Sequence, residues 1–304
     1  MTRLTAYCAD QAAFDGYVAK ARELLERMDG IFDRYAAEGT VRRVNESAGK
    51  GPVPAEPELV EAIEDCRCLY EKTPGMNIAL GSVLTLWEQA RQEQAPPREE
   101  AIRQALSHVS LDTVLTTADT VELTDPQVSL DLGGYAKGYA ADRIAATLKA
   151  AGLSCFLLDC GESSIVCVGA PPEKEGWTVG LRNPDAVLNR SGTENPSDLL
   201  GVMTLSDRCV GVSGDYQKYF EADGTYYSHI IDESTGWPAR YYRAVCVTAD
   251  SAAEAEFYTK ALFTASIADS RRIAEEAEGL QALWMLPDGT AVSTDGFILT
   301  PADT

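Results

Sequence analysis

Three stretches carry side chains whose types and spacing fit phosphate and proton chemistry. In SLDLGGYAKGYAADR (129–143), an apolar alternation runs into Gly133 and Gly134, and Lys137 follows where a helical pattern begins. Glycines let backbone amides approach a ligand closely, a helix N-terminus favours an anion, and the lysine adds a cation. A phosphate or pyrophosphate site satisfies this pattern, and so does a tight strand-to-helix turn with a solvated lysine. Neither GxxxxGK[ST] nor GxGxxG is present. In SGDYQKYFEADGTYYSHIIDESTGWPAR (213–240), His229 and Asp232 stand three apart beside a Thr235-Gly236 turn. A histidine so placed is a candidate general base or phosphate contact, with a structural histidine as the other reading. Ser213, Gly214 and Asp215 read as a polar turn lining a cleft. In AAEAEFYTKALF (252–263), Glu256 and Lys260 are at i, i+4 on a helix. They make either a surface ion pair or, with Glu256 facing a cleft, a carboxylate ligand for a hard cation.

Elements of both kinds must position these groups. Helical spacing of apolar residues runs over 12–28, 56–69, 99–106, 137–151, 251–267 and 271–278. Short β-like runs are TVLTT, TVELT and VSLDL between 113 and 132, then SCFLLDC, SIVCVG, WTVGLRN, LGVMTL, CVGVS and RAVCVTA. The pattern predicts hairpins turning at Asp223-Gly224 and within LQALWMLPDGTAVS. The segments 49–57, 92–100 and 183–198 read as loops. Helices lie between clusters of strands, and the second half is strand-rich, so the fold class is α+β.

The composition narrows the function. Twenty-six basic against 47 acidic residues give a formal charge of −21, which argues against a nucleic-acid binder or an anionic-membrane binder. No apolar run reaches the length of a membrane span, and the opening residues read as a strand rather than an export signal. Eight cysteines form no CxxC pair, and with two histidines there is no zinc-ligand spacing. Most of the cysteines read as reduced, buried small hydrophobes.

DLGGYAKGYAADR resembles the DLGGxAKGYxxD signature of the ApbE-type flavin transferases, the FAD:protein FMN transferases. SGDYQKYFEADGTYYSHIIDESTG is similar to that family's SGdYxRyF…yxHIiDPxTG. MNIALGSVLTLW (76–87) is similar to FDxTvgPLvxlW, and DGIFDRYAAEGTVRRVNESAG to fSrYxxxSelsrlN, with Asn45 matching. The resemblance spans almost the whole chain. It implies an ApbE/T-fold-like α+β architecture over 1–304, with antiparallel strand clusters, packed helices and FAD in a cleft between two lobes of one domain. It also implies a reaction assisted by Mg2+, in which a Ser or Thr hydroxyl in a motif of an acceptor protein attacks the FMN-side phosphate of FAD and AMP leaves. Carried over by position, Met76, Asn77, Asp131, Gly133, Gly134, Lys137, Gly161, Glu162, Ser213, Gly214, Asp215 and His229 fall at the flavin site. His229 and Asp232 fall at the catalytic positions. The Gly134 carbonyl and Glu256 fall at the metal, with Thr259 the nearest small oxygen donor. Family members often act outside the cytoplasm; the sequence itself assigns no compartment.

Four positions depart from the family pattern. Glu256 replaces its metal-binding Asp, Lys260 a Thr one turn on, Glu162 the second glycine of a pair, and Glu233 the Pro of HIiDP. A protonated lysine cannot ligate magnesium and repels it. Two readings follow: Lys260 supplies the positive charge in place of the metal, or the chain binds or hydrolyses FAD without transferring FMN.

Overall fold

The computed structural model describes residues 1–190, 192 and 196–301, so part of the predicted 183–198 loop lies outside the described residues. Within that loop, Pro184–Val187 forms a short helix. The chain divides into two compact units. One comprises 1–25, 137–216 and 240–304; the other comprises 26–136 and 217–239.

The first unit is built on a seven-stranded antiparallel sheet. Its spatial order is Thr2–Ala6, Phe156–Cys160, Ser164–Val168, Arg208–Gly214, Ala244–Ala249, Gln281–Met285 and Ala291–Ser293. Side chains alternate between the two faces of a strand. Val166, Val168 and Cys209 therefore meet the helix Ala136–Ala150 through Ile144, Ala145 and Leu148, with Tyr17, Ala21 and Leu24 against the same cluster. On the opposite face, Cys167, Val210, Val212 and Cys246 pack against Trp177, Val179, Leu181 and Met203. Those residues come from the strand pair Trp177–Arg182 and Leu199–Leu205. With both faces covered, Ala244–Ala249 is buried at every position.

The second unit packs the helices Pro57–Lys72, Gly81–Glu93 and Glu99–Leu106 with a small antiparallel sheet, Val53–Pro54, Thr120–Leu123 and Val114–Thr116. The hairpin Tyr219–Ala222 with Thr225–Ser228 turns at Asp223 (φ 49°) and Gly224 (φ 69°), the two-residue form expected of an Asp-Gly pair. Phe220, Tyr227 and Ile231 share a core with Val83, Trp87 and Ile102.

The α+β class and most of the expected elements are present. The exception is VSLDL, which makes one isolated bridge, Leu80 with Ser129, in place of a strand. Its backbone is claimed elsewhere. Asn45 accepts from the Leu130 N–H at 2.7 Å and donates to the Leu130 carbonyl at 3.0 Å, while the Asp131 N–H donates to Ile78. The alternation instead sends Val128, Leu130 and Leu132 inward. Among the described residues, no helix is long and apolar enough to cross a membrane. All eight cysteines are free, and Cys66, Cys160, Cys167, Cys209 and Cys246 are buried; Cys155 is only partly so. Burial pushes the thiols of Cys167 and Cys246 up to about 12.

Candidate functional site

The predicted residues fall in both units. Lys137, Gly161, Glu162, Ser213, Gly214, Asp215, Glu256 and Thr259 belong to the first; Met76, Asn77, Asp131, Gly133, Gly134, His229 and Asp232 belong to the second.

In the first unit, the chemistry gathers on the helix Ala252–Thr264. Ser251 caps it, and Asp142 reinforces the cap by accepting from the N–H groups of Ala252 and Ala253 at 2.9 Å and from the Ser251 hydroxyl at 2.7 Å. These bonds satisfy amides that have no partner inside the helix. A Cβ on Gly138 would lie 2.2 Å from the Ala252 carbonyl oxygen, and one on Gly211 would lie 2.6 Å from that of Ala255. The two glycines thus let a neighbouring helix and a neighbouring strand close onto the backbone around Glu256. AKGYAAD is, in this fold, a helix-docking motif in which Gly138 gives the approach, Asp142 the cap and Lys137 the charge.

Strand alternation then decides what Glu256 meets. Ser164 pairs with Gly211, and Ser213 lies two residues on, so all three project from the helix-covered face. Glu256 is fully inaccessible. One carboxylate oxygen accepts from Lys137 Nζ at 2.5 Å and from the Ser164 hydroxyl; the other accepts from Lys260 Nζ. Burial opposes the charge, but Lys260 and Lys137 outweigh it and hold the carboxyl down at about 2. Burial lowers the Lys260 ammonium, with Lys137 adding to that and Glu256 opposing it. The Glu256–Lys260 spacing, which fits either a surface ion pair or a cation ligand, forms an ion pair whose carboxylate is buried and whose ammonium is partly exposed. Thr259 is equally committed: its hydroxyl accepts from Ser213 and donates to the Glu256 carbonyl, both at 2.8 Å.

Asp215 occupies a second charged cluster of the same unit. Ser213 and Gly214 end a buried strand, so the expected polar turn begins only at Asp215. Its carboxylate pairs with Arg190 and lies 3.8 Å from Arg243, which itself binds Asp185 at 2.5 Å. Burial raises the Asp215 carboxyl above the ordinary range, against the pull of the two arginines. Gly161 (φ 77°) and Glu162 (φ 62°) form the turn between two strands of the large sheet. Glu162 there pairs with Arg182 at 2.9 Å.

In the second unit, the glycine turn is shaped by Asp131, whose carboxylate accepts from the Gly133 N–H at 2.7 Å. Arg34 holds the other carboxylate oxygen at 3.2 Å and donates to the Gly81 carbonyl at the same distance. Arg34 and Asn45 thus fasten the turn from a distant part of the sequence. The His229 ring is exposed, and its Nδ1 lies 3.1 Å from the Lys218 carbonyl. A carbonyl only accepts, so Nδ1 carries the proton and Nε2 is the basic nitrogen. Asp232 accepts from the Ser234 N–H and hydroxyl, at 2.8 and 2.7 Å, and its backbone closes the turn to Trp237. Trp87 donates to the Gly236 carbonyl at 2.7 Å and seats that turn.

Met76 is buried, and the Asn77 side chain accepts from the Ala79 N–H at the start of the helix Gly81–Glu93. Burial raises the Glu233 carboxyl, while hydrogen bonds from Tyr70, at 3.0 Å, and Asn77 lower it. Asp142, Ser164, Arg34, Arg190 and Arg243 were not among the expected site residues. Asp142 and Arg34 stood inside the quoted motifs, so their place there was the available signal. Ser164, Arg190 and Arg243 gave none.

The sequence model of the ApbE family matches residues 2–284. A Treponema pallidum protein named FAD:protein FMN transferase is 30% identical over 292 residues, spanning 90% of this chain and 78% of its own. A Klebsiella pneumoniae protein of the same name is 26% identical, with 93% and 84% covered. Among solved structures, the ApbE protein of Thermotoga maritima superposes with a TM-score of 0.83 at 24% identity, covering 96% of this chain and 92% of that one. The flavinyl transferase ApbE of Pseudomonas stutzeri, in its apo form, gives 0.81 at 22%, with 97% and 94% covered. Those structures share the fold.

Proposed function

The chain belongs to the ApbE family, and from that premise we propose that it is a transferase that moves FMN from FAD to a Ser or Thr hydroxyl of an acceptor protein, releasing AMP. The likeness to relatives named for this reaction carries the reading. The family match runs through both units, which supports treating 1–304 as one functional domain.

The chemistry needs an attacking oxygen, a base for its proton and charge to meet the phosphates. The acceptor hydroxyl forms a new P–O bond to the FMN phosphorus. The bond from that phosphorus to the bridging oxygen breaks, and AMP leaves with that oxygen. His229 Nε2 takes the hydroxyl proton, because the Lys218 carbonyl keeps Nδ1 protonated. Lys137 and Lys260 supply positive charge toward phosphate oxygens, and Asp131, Gly133 and Gly134 offer a turn whose backbone approaches closely.

Magnesium is the group the family pattern implies, and the residues of this chain do not fit it. Both oxygens of Glu256 accept from ammonium groups, and the Thr259 hydroxyl is spent on the helix and on Ser213.

The test is AMP release from FAD together with mass labelling of a Ser/Thr-containing acceptor. Transfer gives AMP and a labelled acceptor in equal amounts, and His229→Ala lowers the rate by about 10²–10⁴-fold. The altered metal helix favours a second reading, a chain that hydrolyses or only binds FAD. Hydrolysis gives AMP with free FMN, and binding alone gives neither product.

A further inference from the structure

We propose that Lys260 stands in the place of a divalent metal, so that this chain grips the phosphates of its flavin dinucleotide with a built-in ammonium and needs no magnesium. The proposal rests on the flavin reading above and specifies how that site is charged.

Three observations carry it. The first is occupancy: Lys260, Lys137 and the Ser164 hydroxyl together take both oxygens of the Glu256 carboxylate. A magnesium ion there would have to displace an ammonium from each oxygen it used, and would face the repulsion of both. The second is rigidity. The close approaches at Gly138 and Gly211 and the Asp142 cap fix the helix backbone at Ala252–Glu256, and the bonds from Lys137, Lys260 and Ser164 hold the buried Glu256 carboxylate where it is.

The third is charge. One carboxylate between two ammonium groups leaves one net positive charge. Glu256 is wholly inaccessible, while the Lys137 and Lys260 side chains are 46% and 20% exposed. The surplus therefore shows on the accessible side of the cluster. A lysine ammonium is a compact point charge suited to a phosphate oxygen. On a chain of charge −21, such a local surplus calls for an anion.

The experiment uses the full chain and two titrations. FAD binding is followed by flavin fluorescence in EDTA and in magnesium, and manganese alone is titrated and followed by its paramagnetic resonance signal. The wild type is expected to bind FAD with a Kd that changes less than about twofold between the two buffers, whereas Lys260→Thr loses about tenfold in EDTA and regains it in magnesium. Manganese uptake is expected in Lys260→Thr and absent from the wild type. Lys260→Arg, which keeps a cation, is expected to bind FAD in EDTA as the wild type does.

Wild-type FAD binding that collapses in EDTA and returns with magnesium overturns the proposal and leaves the flavin reading standing. If the wild type binds no FAD in either buffer, the flavin reading fails, and manganese still decides the metal question. Wild-type uptake that Glu256→Gln abolishes overturns the lysine-filled site; no uptake upholds it. Because each decisive comparison is made on wild-type protein, a variant that misfolds does not remove the test.

Discussion

Glu256 and Asp215 are both buried carboxylates between two cations in the same unit, and their acidities move in opposite directions. Glu256 touches two ammonium groups and a hydroxyl, and these overcome the cost of burial. Asp215 touches Arg190, but Arg243 stands 3.8 Å away because it serves Asp185 first, and burial wins. Desolvation and pairing compete in both clusters, and contact distance and the number of donors choose the winner. The arrangement of charge differs as well. Among the described contacts, Arg190 and Arg243 meet the two carboxylates of Asp185 and Asp215, whereas Lys137 and Lys260 share the single carboxylate of Glu256. A carboxylate shared by two ammonium groups leaves positive charge suited to an anion from outside the fold.

The sharpest way to break this comparison is Arg243→Ala. Arg243 is 1% exposed and Asp185 3%, so the substitution takes from a buried carboxylate the guanidinium that it meets at 2.5 Å. Removing one member of such a pair costs about 3–5 kcal/mol, a large part of a typical domain's stability. Urea unfolding should show that loss, with FAD affinity at low denaturant nearly unchanged. A loss of FAD affinity as large as that of Lys260→Thr would erase the distinction between the clusters.

The next test is acid. The folded Glu256 carboxyl sits at about 2, against an ordinary 4.5. Its stabilisation is therefore present above about pH 4.5 and lost as pH falls through about 2, and the shift amounts to about 3 kcal/mol. Asp215 has the opposite sign. Its folded value is raised, so the unfolded chain ionises first and stability is lost as pH rises from 3.8 through the folded value. Glu256→Gln should flatten the acid fall in stability, measured by unfolding between pH 5 and 2. An unchanged acid limb would show that the lysines do not hold Glu256 as an anion.

Much of the fold was legible in the sequence because period-two and helical spacing express local geometry. VSLDL misled for a physical reason: its alternation records an inward face, while its backbone bonds go to Asn45 and to Ile78, both far along the chain. Glu256 and Lys260 were legible as a pair, but not as a buried one. Their burial depends on Gly138 and Gly211, whose missing side chains matter only once a helix and a strand are laid against them. Ser164 shows the same limit, since a strand serine has no sequence partner until register places it opposite Gly211. The arginines around Asp215 are likewise joined only by tertiary contact.

The smallest expected effect comes from Arg190→Ala. Its side chain is 39% exposed where it meets Asp215, so water screens the pair and replaces part of what is lost. The expected cost is about 1 kcal/mol, well short of Arg243→Ala. The substitution should also push the Asp215 carboxyl further up, because Arg190 is the largest influence holding it down. The deficit should therefore be greatest where wild-type Asp215 is ionised and shrink as the pH falls and the carboxyl is protonated in both chains. Unfolding midpoints of the two proteins at neutral pH and near pH 4 measure this directly. A deficit independent of pH would mean that Arg190 acts through packing alone, and that Asp215 owes its charge to Arg243.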